Sequence, residues 1–175
     1  MTATRTLGFT LVGVLVSLFA GTALAQGNEA ATAAANTFGD WVLETSGEGA
    51  NKVCFIATTA KQLGAGPAKR SASVLYISAW PKDGIKSEIS IKLGFVAKAA
   101  AGAKVSIGKE AFKLFINDEH AFVADATQEL KLAEAMKKGA KLTVEATAQG
   151  GGQVIDTYSL SGIGQALQAQ AAACP

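Results

Sequence analysis

Few residues in this chain of 175 carry side chains suited to catalysis: one histidine, His120, and two cysteines, Cys54 and Cys174. A histidine can act as a general base or metal ligand, and a cysteine as a nucleophile, metal ligand or half of a disulfide. His120 follows Asp118 and Glu119, but adjacent side chains in a strand point apart, whereas a metal site needs converging ligands. We therefore interpret this run as a polar turn and predict no metal ion, no cofactor and no catalytic residue.

The two cysteines allow only one intramolecular bridge, between Cys54 and Cys174. An even cysteine count in an exported chain favours a disulfide. Because the bridge would close a long loop, it would stabilise the folded protein by about 4–5 kcal/mol in the chain-entropy model. A buried free thiol at Cys54 and an intermolecular bridge from Cys174 are the alternatives.

Aromatic side chains are the remaining candidates for binding, by stacking on a ligand or partner. Trp41, Tyr76 and Trp80 are the candidate ligand or partner surface. Both tryptophans lie at ends of apolar strands, which favours packing in the core or at its rim. We assign three further aromatic residues to the core: Phe112, Phe115 and Phe122.

The N-terminal segment has the pattern of a cleavable export signal. Arg5 precedes an apolar run over residues 7–20, and small residues at Ala23 and Ala25 fit the A-x-A cleavage pattern. The run is short for a membrane span and glycines dilute it, so cleavage after Ala25 is favoured over an uncleaved anchor. No later apolar run is long enough to cross a membrane, so we predict no integral span after cleavage.

Composition beyond the signal predicts one domain with no strong electrostatic preference. The formal net charge of the whole chain is +2, and loss of Arg5 leaves +1. This balance provides no basic field for nucleic acid. We expect a flexible leader over residues 26–37 and a single domain over residues 38–175.

Alternating apolar and polar residues predict a mainly β domain. The expected strands cover residues 38–44, 53–59, 72–80, 88–93, 104–107, 111–116, 121–124, 141–148 and 154–160. Turn residues separate them, including the Pro81-Lys82-Asp83-Gly84 segment and the three glycines from Gly150 to Gly152. Together they indicate an antiparallel β-sandwich of immunoglobulin-like or jelly-roll-like type.

One interposed segment has helical periodicity, over residues 127–138. Leu130, Ala133 and Met136 recur at three-residue spacing, which is typical of a helix. Asp125 can cap the helix, with Gln128 as its capping-box partner. A second short helix is expected near the C-terminus, over residues 164–172.

Five short motifs, in this order, resemble the invasion-associated locus B family of Gram-negative bacteria. They are Phe38-Gly39-Asp40-Trp41, Tyr76-Ile77-Ser78-Ala79-Trp80-Pro81, Phe112-Lys113-Leu114-Phe115 with Ala121-Phe122-Val123, Ala135-Met136-Lys137-Lys138-Gly139, and Asp156-Thr157-Tyr158-Ser159-Leu160-Ser161-Gly162. The chain departs from the family where many members carry another cysteine, since residues 42–45 here read Val-Leu-Glu-Thr.

The resemblance implies an exported envelope protein with a β-sandwich-like domain, and some relatives are implicated in host-cell entry. It supplies no catalytic residues. We expect a non-enzymatic periplasmic or envelope protein that acts through contacts with an envelope or host protein. The alternatives are a small-ligand binding module of the periplasm and a hydrolase that uses His120.

Mass spectrometry of the protein isolated from its native cells tests the export argument. We expect a chain that starts at Gln26, with a mass two hydrogens below that of the reduced form, because the signal is removed and the two cysteines are joined. An intact N-terminus with free thiols would contradict both expectations.

Overall fold

The computed structural model describes residues 36–175, and alternation of apolar and polar side chains organises these residues into ten strands and two helices. The predicted signal and nearly all of the predicted leader lie outside the described residues. The strands are β1 Thr37–Phe38, β2 Trp41–Ser46, β3 Val53–Thr59, β4 Val74–Trp80, β5 Ile85–Lys92, β6 Ala103–Ile107, β7 Glu110–Asn117, β8 His120–Val123, β9 Lys141–Thr147 and β10 Gln153–Ser159. The helices are α1 Ala126–Lys138 and α2 Ile163–Ala173.

All ten strands join in one antiparallel sheet with the order β1-β2-β3-β4-β5-β8-β7-β6-β9-β10. The sheet folds back on itself, because Gln62, just after β3, pairs with Thr157 of β10 near the opposite end of the order. Apolar side chains from both halves meet inside and form one core. The expected mainly β, antiparallel fold with an interposed helix and a C-terminal helix is confirmed.

One detail of the predicted elements is wrong. Residues 38–44 do not form one strand, because Gly39, with a positive φ of 60°, turns the chain between β1 and β2. In α1, Leu130 is 67% exposed, and the buried residues are Leu132, Ala135 and Met136. The three-residue spacing thus predicted the helix but not which of its faces is buried.

Asp125 caps the N-terminus of α1, as predicted. The Asp125 side chain accepts a hydrogen bond from the Gln128 backbone N–H at 2.9 Å. Lys137 and Lys138 lie in the last turn, where the helix dipole favours positive charge. The helix therefore begins and ends on signals that its own sequence contains.

The loop between β3 and β4 is held against β10 by a buried ion pair. The Arg70 guanidinium donates to both carboxylate oxygens of Asp156, at 3.0 and 2.6 Å, and the side chains are 9% and 2% exposed. Asp156 also accepts from the Gly64 N–H, and Arg70 donates to the Leu93 carbonyl and lies over the Phe95 ring. We call this arrangement the Arg70–Asp156 clasp.

Glycine at position 64 is a steric requirement of the clasp. A Cβ atom there would lie 2.5 Å from the Ile155 carbonyl oxygen, closer than any side chain tolerates. The loop backbone can therefore lie flat on β10 only because this residue has no side chain.

Helix α2 is fastened to the sheet by the predicted disulfide and by a buried amide. Cys54 and Cys174 are bonded, with their Cα atoms 6.0 Å apart, and no cysteine among the described residues is free. The side-chain nitrogen of Gln170 donates to the carbonyls of Cys54 and Ile77, at 3.0 and 2.7 Å. The register of β4 against β5 shifts between Ser78 and Trp80, close to these carbonyls.

We expect Asp156→Ala to destabilise the protein by about 3–5 kcal/mol, because it leaves the Arg70 cation buried without a partner. Urea unfolding followed by circular dichroism measures the effect. The matched control is Glu145→Ala, which breaks a more exposed ion pair with Lys104 and should cost at most about 1 kcal/mol. Equal effects of the two substitutions would contradict the role given to the clasp.

Candidate functional site

The three aromatic residues predicted to form a surface do not lie together. Trp41 is fully buried in the core, so it presents no surface to a ligand or partner, and its place among the candidates was wrong. Trp80 is 36% exposed at the end of β4. Tyr76, also on β4, is half-buried on the outward face of the sheet.

Tyr76 belongs to a row of outward-facing side chains that crosses six neighbouring strands. The register aligns Val42, Ala57, Tyr76, Ser90, Phe122 and Phe115. We call these residues the outer row. Apart from Ser90, its members are apolar or aromatic, although this face of the sheet borders water.

Phe115 is the most exposed aromatic residue of the outer row, at 50%. Its neighbours Leu114 and Ile116 point into the core, so alternation along β7 directs Phe115 outward, contrary to the expectation that it is buried. Its ring stacks on that of Phe122, with centroids 5.4 Å apart. Phe122 in turn stacks on His120 at 6.1 Å.

The surroundings of this aromatic stack are charged on both sides. Lys92 of β5 pairs in register with His120. On the other side, Glu88 and Glu129 line a shallow depression together with Phe115 and Phe122. A partner of the stack would therefore meet an apolar centre between charges of opposite sign.

Glu129 of α1 accepts a backbone hydrogen bond from a part of β5 that is not paired with the neighbouring strand β8. Its Oε1 accepts from the Ile89 backbone N–H at 2.5 Å, beyond the point where β8 stops pairing with β5. Burial raises the pKa of the Glu129 carboxyl, the hydrogen bond from Ile89 lowers it, and the charge of Glu88 raises it again. The net shift is upward, so ionising Glu129 costs more in the folded than in the unfolded protein.

A second depression, of about 490 Å³, lies at the other end of the outer row. Phe55 meets Tyr76 edge to face within it, with ring centroids 6.0 Å apart. Lys61 forms an ion pair of 2.5 Å with Asp40 at its margin, and the hydrogen bond from Lys61 lowers the pKa of the Asp40 carboxyl. An aromatic wall beside an ion pair could hold a small planar or polar ligand.

A groove of about 520 Å³ separates α1, α2 and the turn between β4 and β5. Ile85, Leu130 and Leu167 give it apolar walls, and Gln170 lies among its lining residues. We call it the interhelix groove. No sequence signal pointed to it, because its three walls come from segments far apart in the chain.

Within residues 36–175, no cluster of three or more His, Cys, Asp or Glu side chains could hold a metal ion. His120 stands apart from the cysteines, which are bonded to each other. The same part of the chain contains no helix long and apolar enough to cross a membrane.

Comparison with known proteins identifies relatives of the chain. The family model described as invasion associated locus B (IalB) protein matches residues 41–171. The crystal structure of invasion associated protein B from Bartonella henselae is similar, with a TM-score of 0.55 and 18% identity, over 78% of this chain and 94% of that chain. At this identity the likeness shows a shared fold. No curated protein matches the sequence.

The raised pKa of Glu129 predicts a pH-dependent stability. Since the folded protein holds this proton to higher pH than the unfolded chain, the stabilising contribution is present below the ordinary pKa of 4.5 and falls as pH rises through the raised pKa. Glu129→Gln keeps an acceptor for Ile89 without the charge. Its stability relative to wild type should therefore increase between about pH 4 and about pH 7 in urea unfolding.

The control for this experiment has the opposite sign. Glu134 is exposed on the same helix, and its hydrogen bond and ion pair with Lys137 lower its pKa. Glu134→Gln should lose stability relative to wild type over the same rise in pH. The same trend for both variants would contradict the assignment.

Proposed function

Because the chain belongs to the invasion associated locus B family, we propose that it is an exported protein of the cell envelope that acts through contacts with other proteins or with the envelope, not through catalysis. The family is not a known enzyme family. Export is supported by the A-x-A pattern ending at Ala25 and by the disulfide between Cys54 and Cys174, a bond favoured in oxidising compartments. The family name supports host-cell contact as the process that it serves.

The observation that carries this proposal is the exposure of Phe115 on Phe122. Single exposed apolar side chains are common, but a stacked aromatic pair on an outward sheet face, in the same row as Tyr76, is an apolar patch of the kind that marks interaction sites. Aromatic side chains are also enriched at protein interfaces, because they bury a large area with few rotatable bonds. We therefore assign the outer row as the contact surface.

The depression beside Phe55 and Tyr76 supports a second candidate, the small-ligand binding module. Its volume of about 490 Å³ lies within the range of small-molecule sites, and its aromatic wall suits a stacking ligand. This candidate and the leading one involve different ends of the outer row, so substitutions can separate them.

Photocrosslinking in the native cells tests the contact surface. With p-benzoylphenylalanine in place of Phe115, we expect a discrete crosslinked species. The matched control is the same replacement at Ile155, which is 46% exposed on β10 and lies outside the outer row. The Ile155 position should give no discrete product, because it lies on β10, outside the proposed contact surface.

Three outcomes would count against this assignment. Equal crosslinking at both positions would show that Phe115 has no special contact, and a crosslink at Tyr76 to a small molecule alone would favour the ligand-binding candidate. A hydrolytic activity abolished by His120→Ala would overturn the non-enzymatic proposal.

A further inference from the structure

We propose that the interhelix groove binds a short, extended apolar peptide segment of a partner protein, one that carries an acidic residue. This site is separate from the outer row. Its walls are α1, α2 and the turn that joins β4 to β5, and the residues of the outer row do not line it.

The first observation is that Leu130 of α1 is exposed, although other residues already form the face of this helix that packs on the sheet. Leu132, Ala135 and Met136 fill the space between α1 and the sheet, whereas Leu130 is 67% exposed. Leu130 lines the interhelix groove opposite Leu167 and Ile85. Apolar side chains of a bound segment would cover all three and be removed from water with them.

The second observation is a polar atom in the lining. Gln170 is only 3% exposed, and its amide nitrogen donates to two backbone carbonyls, so its carbonyl oxygen Oε1 remains as the acceptor. Gln170 is one of the residues that line the groove.

This atom distinguishes a peptide from a purely apolar ligand. A peptide backbone supplies an N–H for the Gln170 oxygen. An acyl chain has no hydrogen-bond donor and would leave this oxygen without a partner and shielded from water. The chemistry of the groove therefore favours a peptide over an acyl chain of similar apolar area.

Charge at the rim selects an acidic residue in the bound segment. Lys86 lines the groove and forms no ion pair with the described residues, whereas Lys137 is paired with Glu134 at 2.7 Å. The Lys86 ammonium can therefore pair with a carboxylate of a bound segment. A carboxylate on the peptide would complement it and fix the direction in which the segment lies.

Selection from a random dodecapeptide display library on the oxidised protein, residues 26–175, tests the proposal. We expect enriched peptides that combine large apolar residues with at least one acidic residue. Binding is then measured by fluorescence anisotropy of the labelled peptides. Trp80, which directly precedes the lining residue Pro81, offers an intrinsic fluorescence signal as a second readout.

Two substitutions should weaken binding at least about tenfold, equivalent to about 1.4 kcal/mol. Leu130→Lys removes an apolar wall, and Lys86→Glu reverses the charge of a lysine that forms no ion pair; both positions are exposed, so the fold should tolerate the changes. Leu63→Lys, at an exposed leucine outside the groove, is the matched control for Leu130→Lys and should bind the peptides as the wild type does. A single N-methyl group on the backbone N–H that meets Gln170 should also weaken binding about tenfold.

Several results would overturn the proposal. Peptides that bind Leu130→Lys as tightly as wild type would place the site elsewhere, and unchanged binding of every N-methylated peptide would remove the role of Gln170. Binding of sodium oleate that is lost in Leu130→Lys, with no peptide enriched, would show an acyl-chain groove instead. A dimer in sedimentation velocity that Leu130→Lys dissociates would show that a second copy covers the groove.

Discussion

The buried pair of Arg70 and Asp156 is the constraint on which the folded-over sheet depends. Asp156 points into the core from β10, between Val154 and Tyr158, where an unpaired carboxylate would be costly. Charges withdrawn from water are tolerated only when geometry and further hydrogen bonds compensate them. Here two parallel hydrogen bonds join the charges, and the Gly64 N–H, the Leu93 carbonyl and the Phe95 ring complete the surroundings.

This pair connects three parts of the chain that the hydrogen-bond ladder alone would leave separate. Arg70 belongs to the loop between β3 and β4, Leu93 follows β5, and Asp156 lies in the last strand. Close by, the hydroxyls of Ser73 and Tyr158 share a hydrogen bond of 2.5 Å, and burial raises the pKa of Tyr158 so that it stays protonated. The polar contacts therefore fix how the two halves of the sheet close over the core.

Much of the fold could be predicted because the strands alternate and the turns contain glycine, proline or aspartate at the required places. Pairing partners and the outward position of Phe115 could not, since alternation defines two faces without saying which one is buried. The clasp left a signal in the sequence. Asp156 alternates with apolar residues along its strand. Arginine is the residue type best suited to a buried pair with a carboxylate, and Arg70 is the only arginine in the sequence after Arg5. Linking them still required knowledge of which loop crosses β10.

The two candidate surfaces share a property that supports their use in binding: rigid elements present both. Phe115 lies on β7, which is paired on one side with β6 and on the other with β8, so the sheet fixes its direction. One wall of the interhelix groove is α2, which a disulfide and the Gln170 hydrogen bonds fasten to the sheet. A surface that is already ordered loses little conformational entropy when a partner docks. A modest apolar area, such as a stacked aromatic pair or a groove for a few side chains, can then suffice for specific association.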